Sequence, residues 1–252
     1  MTDQVARAAL ERALDEKDLL IIYQPIFDIR NDTLYAAEAL LRQVRQSGEI
    51  REAGIITDAA EEGPELFELT HWTVRQSFAD AREWRDVRLN VNLSPREFQE
   101  GDVFERVTSA IGDCGIDTNR INLEITETSY IDKPKETMHV VEEIKRLGIS
   151  LWLDDFGTGH SSIEHLQLFP LDGIKLPGKF VGPMVKDERC RKITRALVAL
   201  AHDLGLEVIA EGVEHQQQLD MLREWGCEYV QGFLLARPMT LEQFEELMAT
   251  RA

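Results

Sequence analysis

Short apolar runs alternate with stretches of helical periodicity along almost the whole chain. A first helix is predicted near the start, capped by Thr2 or Asp3, with Val5, Ala9, Leu10 and Leu14 on its apolar face. Two β-rich runs follow at 19–29 and 34–41, and Asn31-Asp32 between them reads as the turn of an antiparallel hairpin. Helical spacing then runs over 64–84 and leads to a strand at 87–93. The alternation continues with helix 103–114 and strand 121–125, then helix 135–147 and strand 150–153. A short helix from Ser161 precedes strand 173–176, and helix 189–204 precedes strand 207–210. A helix at 215–225, an extended run at 229–234 and a helix from Thr240 carrying Leu241, Phe244 and Leu247 complete the series.

Eight strands with helices between nearly all of them, in 252 residues, predict an α/β chain folded as a (β/α)8 TIM-like barrel, with one antiparallel strand in the N-terminal hairpin. No Pro- or Ser-rich linker, repeat or low-complexity tract divides residues 1–252, so one domain is expected. A doubly wound open sheet shares the alternation. What favours the barrel is where the polar residues fall: Glu38, Asn92, Glu124, Asp154, Lys175, Glu211 and Gln231 each lie at or just beyond the C-terminal end of a predicted strand. A barrel gathers those ends around one mouth, whereas an open sheet spreads them along an edge.

Composition narrows the partners. With 28 Lys and Arg against 46 Asp and Glu the formal charge is −18, which argues against a DNA or RNA polymer and against an anionic membrane surface. A small phosphate-bearing ligand remains compatible, because bound divalent cations invert the local field. Cys114, Cys190 and Cys227 have neither zinc spacing nor the even count of a disulfide framework, and read as reduced structural thiols. The first residues lack the basic and apolar regions of a signal peptide, and the longest apolar runs are too short to span a bilayer, so a cytoplasmic protein is expected. The six histidines form no metal-binding pattern.

The candidate chemistry centres on Asp154-Asp155-Phe156-Gly157-Thr158-Gly159, two carboxylates at a strand end followed by a glycine-punctuated loop. Alone, the motif reads equally well as an Asp helix cap beside a solvated Asp. Its companions change the balance. Charged residues rarely enter a core unpaired, yet Glu38, Glu124, Asp154, Asp155 and Glu211 carry five negative charges toward one mouth with a single Lys175. Two divalent ions plus Lys175 supply five positive charges. All-oxygen donors suit Mg²⁺ or Mn²⁺, and two-metal sites perform in-line displacement at phosphorus.

These residues, in this order and spacing, resemble the EAL-domain cyclic-di-GMP phosphodiesterases over essentially the whole chain. The resemblance rests on Tyr23-Gln24-Pro25-Ile26, Glu38-Ala39-Leu40-Leu41-Arg42, Asn92-Leu93-Ser94 and Glu124-Ile125-Thr126-Glu127. It continues through the Asp154–Gly159 motif, Ile174-Lys175, Glu211-Gly212-Val213-Glu214 and Gln231-Gly232-Phe233. It implies hydrolysis of cyclic di-GMP to linear pGpG by a metal-activated water. Two Mg²⁺ or Mn²⁺ ions would be held or surrounded by Glu38, Asn92, Glu124, Asp154, Asp155 and Glu211, with Ca²⁺ inhibitory. Lys175 and Glu211 would act on the water, Gln231 would support the cluster, and Gln24 and Arg42 would contact the dinucleotide. Glu127 would steady the loop 155–162, which in the family couples a homodimer to metal binding. Departures from the family pattern are Pro177 for a usual Asp, Glu52 for a usual Pro, Ala60 for a usual Glu, Gln43 for a frequent aromatic and His160 for a frequent Tyr.

The competing reading is a catalytically silent cyclic-di-GMP receptor or protein-interaction module. Degenerate family members usually lose metal ligands or the lysine, and this chain keeps all of them. An unrelated cation-dependent barrel would explain the carboxylates but neither Asn92 nor Gln231.

Overall fold

The structure is a computed structural model that describes residues 18–44, 47–53, 60, 63, 65–100, 102–126, 134–158 and 166–251. The expected first helix, Glu127, the loop 159–162 and the start of the helix from Ser161 lie outside the described residues.

Strand β1 (Leu19–Asp28) pairs antiparallel with β2 (Thr33–Val44) through the turn that contains Asp32 at φ 54°. Five strands add in parallel register from β2: β4 (Arg88–Leu93), β5 (Ile121–Thr126), β6 (Ser150–Asp154), β7 (Gly173–Leu176) and β8 (Glu207–Ala210). The last strand, β9 (Tyr229–Val230), pairs parallel with β8 and antiparallel with β1. The β1–β2 pairing closes the ring, so eight strands form a barrel in which only β1 runs against its neighbours. This is the expected barrel with its inverted first strand.

Helices pack outside. Helix α1 (Glu65–Ala81) buries Leu66, Leu69, Val74, Phe78 and Ala81, the period of a helix with one core face. Helix α2 (Pro95–Glu100), which the hydrophobic pattern does not announce, follows β4 directly. Helix α3 (Val103–Cys114) buries Val103, Val107 and Ala110, and ends at Gly115, whose left-handed backbone (φ 71°) lets its N–H reach the Ile111 carbonyl. Helix α4 (Pro134–Arg146) lies between β5 and β6. A single turn, α5 (Gly178–Val181), follows β7, and α6 (Glu188–Asp203) starts under a cap from Asp187, whose carboxylate accepts from the Arg189 and Cys190 N–H groups. Helices α7 (Gln216–Glu224) and α8 (Leu241–Arg251) follow β8 and β9.

Two expectations on strand ends are corrected. Strand β2 runs past the barrel to Val44, where it pairs with an unforeseen strand β3 (Ile50–Glu52), so Glu38 sits mid-strand rather than at its end. It is the barrel-forming part of β2, paired with β4 from Ala36 to Ala39, that ends beside Glu38. The extended run at 229–234 is a strand only over its first two residues, because the chain turns after Gln231.

Apolar and aromatic side chains fill the barrel below its mouth: Ile26, Ala36, Trp152, Ile209 and Tyr229 form one buried cluster, with the Tyr35 and Tyr229 rings stacked 3.6 Å apart. Trp152, with no exposed surface, lies across Gly173 of the next strand. A Cβ on Gly173 would stand 2.3 Å from the indole ring, far inside contact distance. Gly173→Ala is expected to lower stability by about 1–3 kcal/mol, the cost of overpacking a dense core, and Trp152→Phe in the same chain to recover part of it. Thermal melting of the two variants is the check, and an unchanged melting temperature in Gly173→Ala would show that this layer has slack.

Candidate active site

Side chains alternate across a strand, so residues two apart on β4 to β9 face the same side. The inward set at the C-terminal mouth is Glu38, Asn92, Glu124, Asp154, Lys175, Glu211 and Gln231. Lys175 is the centre, with no exposed surface. Its Nζ lies 2.8 Å from Glu211 Oε1, 2.9 Å from Glu124 Oε2, 3.3 Å from Glu38 Oε2 and 3.7 Å from Asp154 Oδ1. Four strands or strand ends thus deliver a carboxylate to one ammonium.

Local backbone geometry sets these positions. The Glu211 N–H donates to the Leu176 carbonyl at 2.9 Å, and the Gln231 N–H to the Ala210 carbonyl at 2.9 Å, so both residues continue the sheet just past their strands. The chain then turns at Gly212 (φ 66°), where a Cβ would stand 3.0 Å from the Gly178 Cα. Only glycine fits that crossing of two backbones.

Two amides brace Glu38: Asn92 Nδ2 donates to its Oε1 at 2.8 Å and Gln231 Nε2 to its Oε2 at 2.7 Å. Burial pushes the Glu38 carboxyl up, but Lys175 and these amide donors outweigh it and hold the group below its ordinary value. Glu124, buried and facing Glu38 and Asp154, stands well above the usual carboxylate range despite Lys175. Asp154 is raised for the same reason, burial first. Burial, against the pull of Lys175 and with the push of Asp154 and Glu38, lifts Glu211 to about 7. Burial alone would lower Lys175; the ring of acids overrides it and holds the ammonium firmly protonated. Four carboxylates against one ammonium leave the mouth three charges negative when all are ionised.

Among the described residues, no three acidic, thiol or imidazole side chains stand as a ready-made metal cluster; the acids close on the Lys175 ammonium instead. The donor chemistry nevertheless fits hard divalent cations: carboxylate and amide oxygens, excess negative charge, and the buried Gln231 Oε1, which has no hydrogen-bond partner among the described residues.

The other sequence candidates fall around this centre. Asp155 is not in the Lys175 cluster. It is exposed, at φ 55°, and its N–H donates to Asp154 Oδ1 at 2.8 Å, while its charge still bears on the Asp154 carboxyl and helps to raise it. Gln24 stands opposite Glu38 across β1 and β2, and lines a cleft with Glu211, Glu214, Gln231 and Phe233. Phe233 is 48% exposed there, with the Arg237 guanidinium 4.3 Å above its ring. Arg42 lies on the overhang of β2, opposite Glu52, and lines a second cleft with Asn92, Ser94 and Thr126. Phe233 was quoted only within a motif and given no role, and Asn90 and Asn122 were not singled out from the sequence. The signal for the two asparagines was present, since amides alternate with apolar residues in Arg88-Leu89-Asn90-Val91-Asn92.

This is a barrel with an acid-rich centre built around one buried ammonium at its C-terminal mouth. The EAL domain family matches residues 7–238, nearly the full length, and the chain belongs to that family. Cyclic di-GMP phosphodiesterase PdeR of Escherichia coli (strain K12) is 34% identical over 241 residues, 94% of this chain and 36% of that protein. Cyclic di-GMP phosphodiesterase NbdA of Pseudomonas aeruginosa is 32% identical over 244 residues, 95% of this chain and 31% of that protein. The chain therefore spans about a third of the length of these curated relatives. The solved structure of the PaMucR phosphodiesterase in complex with c-di-GMP superposes with a TM-score of 0.89 at 29% identity, covering 95% of this chain and 99% of that one.

Glu211 holds its proton more tightly in the fold, at about 7, than at its ordinary 4.5. The folded chain therefore carries the extra proton between those values, and its stability falls as pH rises through that window. In excess chelator the melting temperature is expected to drop over the same range, with Glu211 contributing at most about 3 kcal/mol. Glu211→Gln should remove that part of the slope. A slope identical in both proteins would mean that the fold does not resist ionisation at this position.

Proposed function

We propose that this chain is a metal-dependent phosphodiesterase that hydrolyses cyclic di-GMP to linear pGpG. The observation that carries the reading is the Lys175 ammonium buried among Glu38, Glu124, Asp154 and Glu211 at the barrel mouth of an EAL-domain chain. Clefts on either side of the cluster, one with Gln24 and Phe233 and one with Arg42, suit an elongated dinucleotide lying across it. Support for the substrate comes also from the relatives, which are named as cyclic di-GMP phosphodiesterases.

Two Mg²⁺ or Mn²⁺ ions, with Glu38, Asn92, Glu124, Asp154 and Glu211 as donors and Asp155 at the rim, would supply Lewis acidity at phosphorus and a more acidic attacking water. The protein groups do the rest. Lys175, a fixed donor, stabilises the negative charge that grows on the phosphoryl oxygens. Glu211, at the edge of the cluster with Oε1 2.8 Å from Lys175 Nζ, accepts the proton of the attacking water. The water oxygen bonds to phosphorus, the bond from phosphorus to the ribose 3′ oxygen breaks, and that oxygen takes up a proton. Gln24 and Arg42 orient the dinucleotide, and Gln231 keeps Glu38 in place.

The reading includes a two-fold homodimer formed near the loop 155–162, with Glu127 steadying that loop, and a cytoplasmic location. Among the described residues no helix is long and apolar enough to cross a membrane.

Chromatographic detection of pGpG from cyclic di-GMP tests the proposal. Turnover is expected with Mg²⁺ or Mn²⁺, with loss in Ca²⁺, whose looser shell positions water badly, and none in excess chelator or in Asp154→Asn. Lys175→Ala should lower kcat by about 10³-fold with a much smaller change in cyclic-di-GMP affinity, because the contact is strongest in the transition state. Tight binding of cyclic di-GMP with no pGpG under any of these cations would make the chain a receptor instead.

A further inference from the structure

Beneath the carboxylates, the barrel interior holds polar side chains for which the reaction above has no use. Arg88, Asn90 and Asn92 alternate along β4, and Asn122 precedes Glu124 by two residues on β5, so all face inward. Asn90 and Asn122 have no exposed surface. Asn90 Nδ2 donates to Glu124 Oε1 at 2.6 Å, Asn122 Nδ2 to Asn90 Oδ1 at 2.8 Å, and Arg88 Nη1 to Asn122 Oδ1 at 3.0 Å. The same Nη1 also donates to Ser150 Oγ at 3.1 Å, and the guanidinium lies 6.0 Å over the Tyr35 ring.

This chain of bonds has a direction. A guanidinium can only donate, so Asn122 must turn its oxygen to Arg88 and its nitrogen to Asn90. Asn90 must then turn its oxygen to Asn122 and its nitrogen to Glu124. Reversing either amide would place two donors or two acceptors against each other in a site that water does not reach, which is heavily penalised. Arg88 therefore dictates, from the far side of two amides, that Glu124 Oε1 meets a donor. The other oxygen, Oε2, is left facing Lys175 at 2.9 Å.

We propose that Asn90, oriented through Asn122 by Arg88, is a positioning residue that locks the Glu124 carboxylate with Oε2 presented to Lys175 and to the divalent cations of the mouth. The inference rests on the metal-dependent reading given above. It differs from a packing role, because it assigns the effect to one hydrogen bond and to the direction imposed on it.

The test is calorimetric titration of Mn²⁺ into the chelator-stripped chain without substrate, with melting temperature, kcat and KM measured on the same proteins. Asn90→Leu, close to Asn in size, is expected to weaken Mn²⁺ binding by about tenfold or more, the order seen when the partner of a metal ligand is removed, and to lower kcat more than it raises KM. Asn122→Leu keeps the Asn90 amide but frees its direction, and is expected to weaken Mn²⁺ binding less. The double variant should bind Mn²⁺ no more weakly than Asn90→Leu, since both act through one contact. Losses that add in the double variant, or Mn²⁺ affinities within about twofold of the parent in the single ones, overturn the proposal. If Asn90→Leu does not fold, Asn122→Leu and Arg88→Met decide: weaker Mn²⁺ binding at a retained melting temperature supports the relay, and unchanged binding overturns it. A parent chain that takes up no Mn²⁺ overturns the metal reading itself, and this inference with it.

Discussion

The buried ammonium of Lys175 is the contact on which the barrel mouth depends. At an effective dielectric of about 20, each charge pair at about 4 Å is worth about 4 kcal/mol. One ammonium makes four attractions here, while its four carboxylates make six mutual repulsions of the same order. The balance explains the opposed shifts within one cluster. Glu38, with two amide donors in addition to Lys175, stays below its ordinary value, whereas Glu124, Asp154 and Glu211 rise above theirs. A centre in that state gains from any further positive charge. The cation binding proposed for it would follow from how the acids are crowded, with Lys175 holding the crowd in register.

Crowding of this kind needs a rigid support. The parallel strands β4 to β9 direct their C-terminal ends to one side, and the closure through β1 and β2 fixes the diameter of the ring. Trp152 and the stacked Tyr35 and Tyr229 fill the interior below. Trp152 is two residues before Asp154 on the same inward face, so the side chain that closes the floor also sets the height of a ligand candidate. The contact with Gly173 ties that height to β7, which carries Lys175 two residues later. Floor and site share their strands, and a shift in one is passed to the other.

Much of this was legible in the sequence, since the barrel, its inverted first strand and the inward carboxylates follow from alternation and from the positions of acids in apolar strands. What escaped has specific causes. Strand β3 consists of the exposed residues Ile50, Arg51 and Glu52, and no buried face marks it. The absence of Asp155 from the Lys175 contacts goes with a left-handed backbone at that residue, which residue identity alone does not announce. Asn90 and Asn122 escaped for a subtler reason. Alternating polar and apolar residues ordinarily signal a strand with one face in water. In a closed barrel the polar face of β4 is the interior, and the apolar face, with Leu89, Val91 and Leu93, packs under the helices. The same pattern carries opposite meanings, and only ring closure tells them apart.

Local backbone geometry explains why Pro177, where the family resemblance leads one to expect Asp, leaves the contacts of Lys175 in place. Proline lacks an N–H and holds φ near its fixed value. Pro177 adopts φ −67° and ψ 151°, just past β7 and ahead of α5, so neither restriction opposes the local path. The sheet bonds around it use other groups: the Lys175 carbonyl accepts from the Phe156 N–H at 3.2 Å, and the Leu176 carbonyl from the Glu211 N–H at 2.9 Å. Lys175 therefore keeps its inward direction and its four partners. The following residue, Gly178, lets the backbone pass against Gly212 at the turn that holds Glu211. This departure from the family pattern is thus compatible with the strand geometry that turns Lys175 inward.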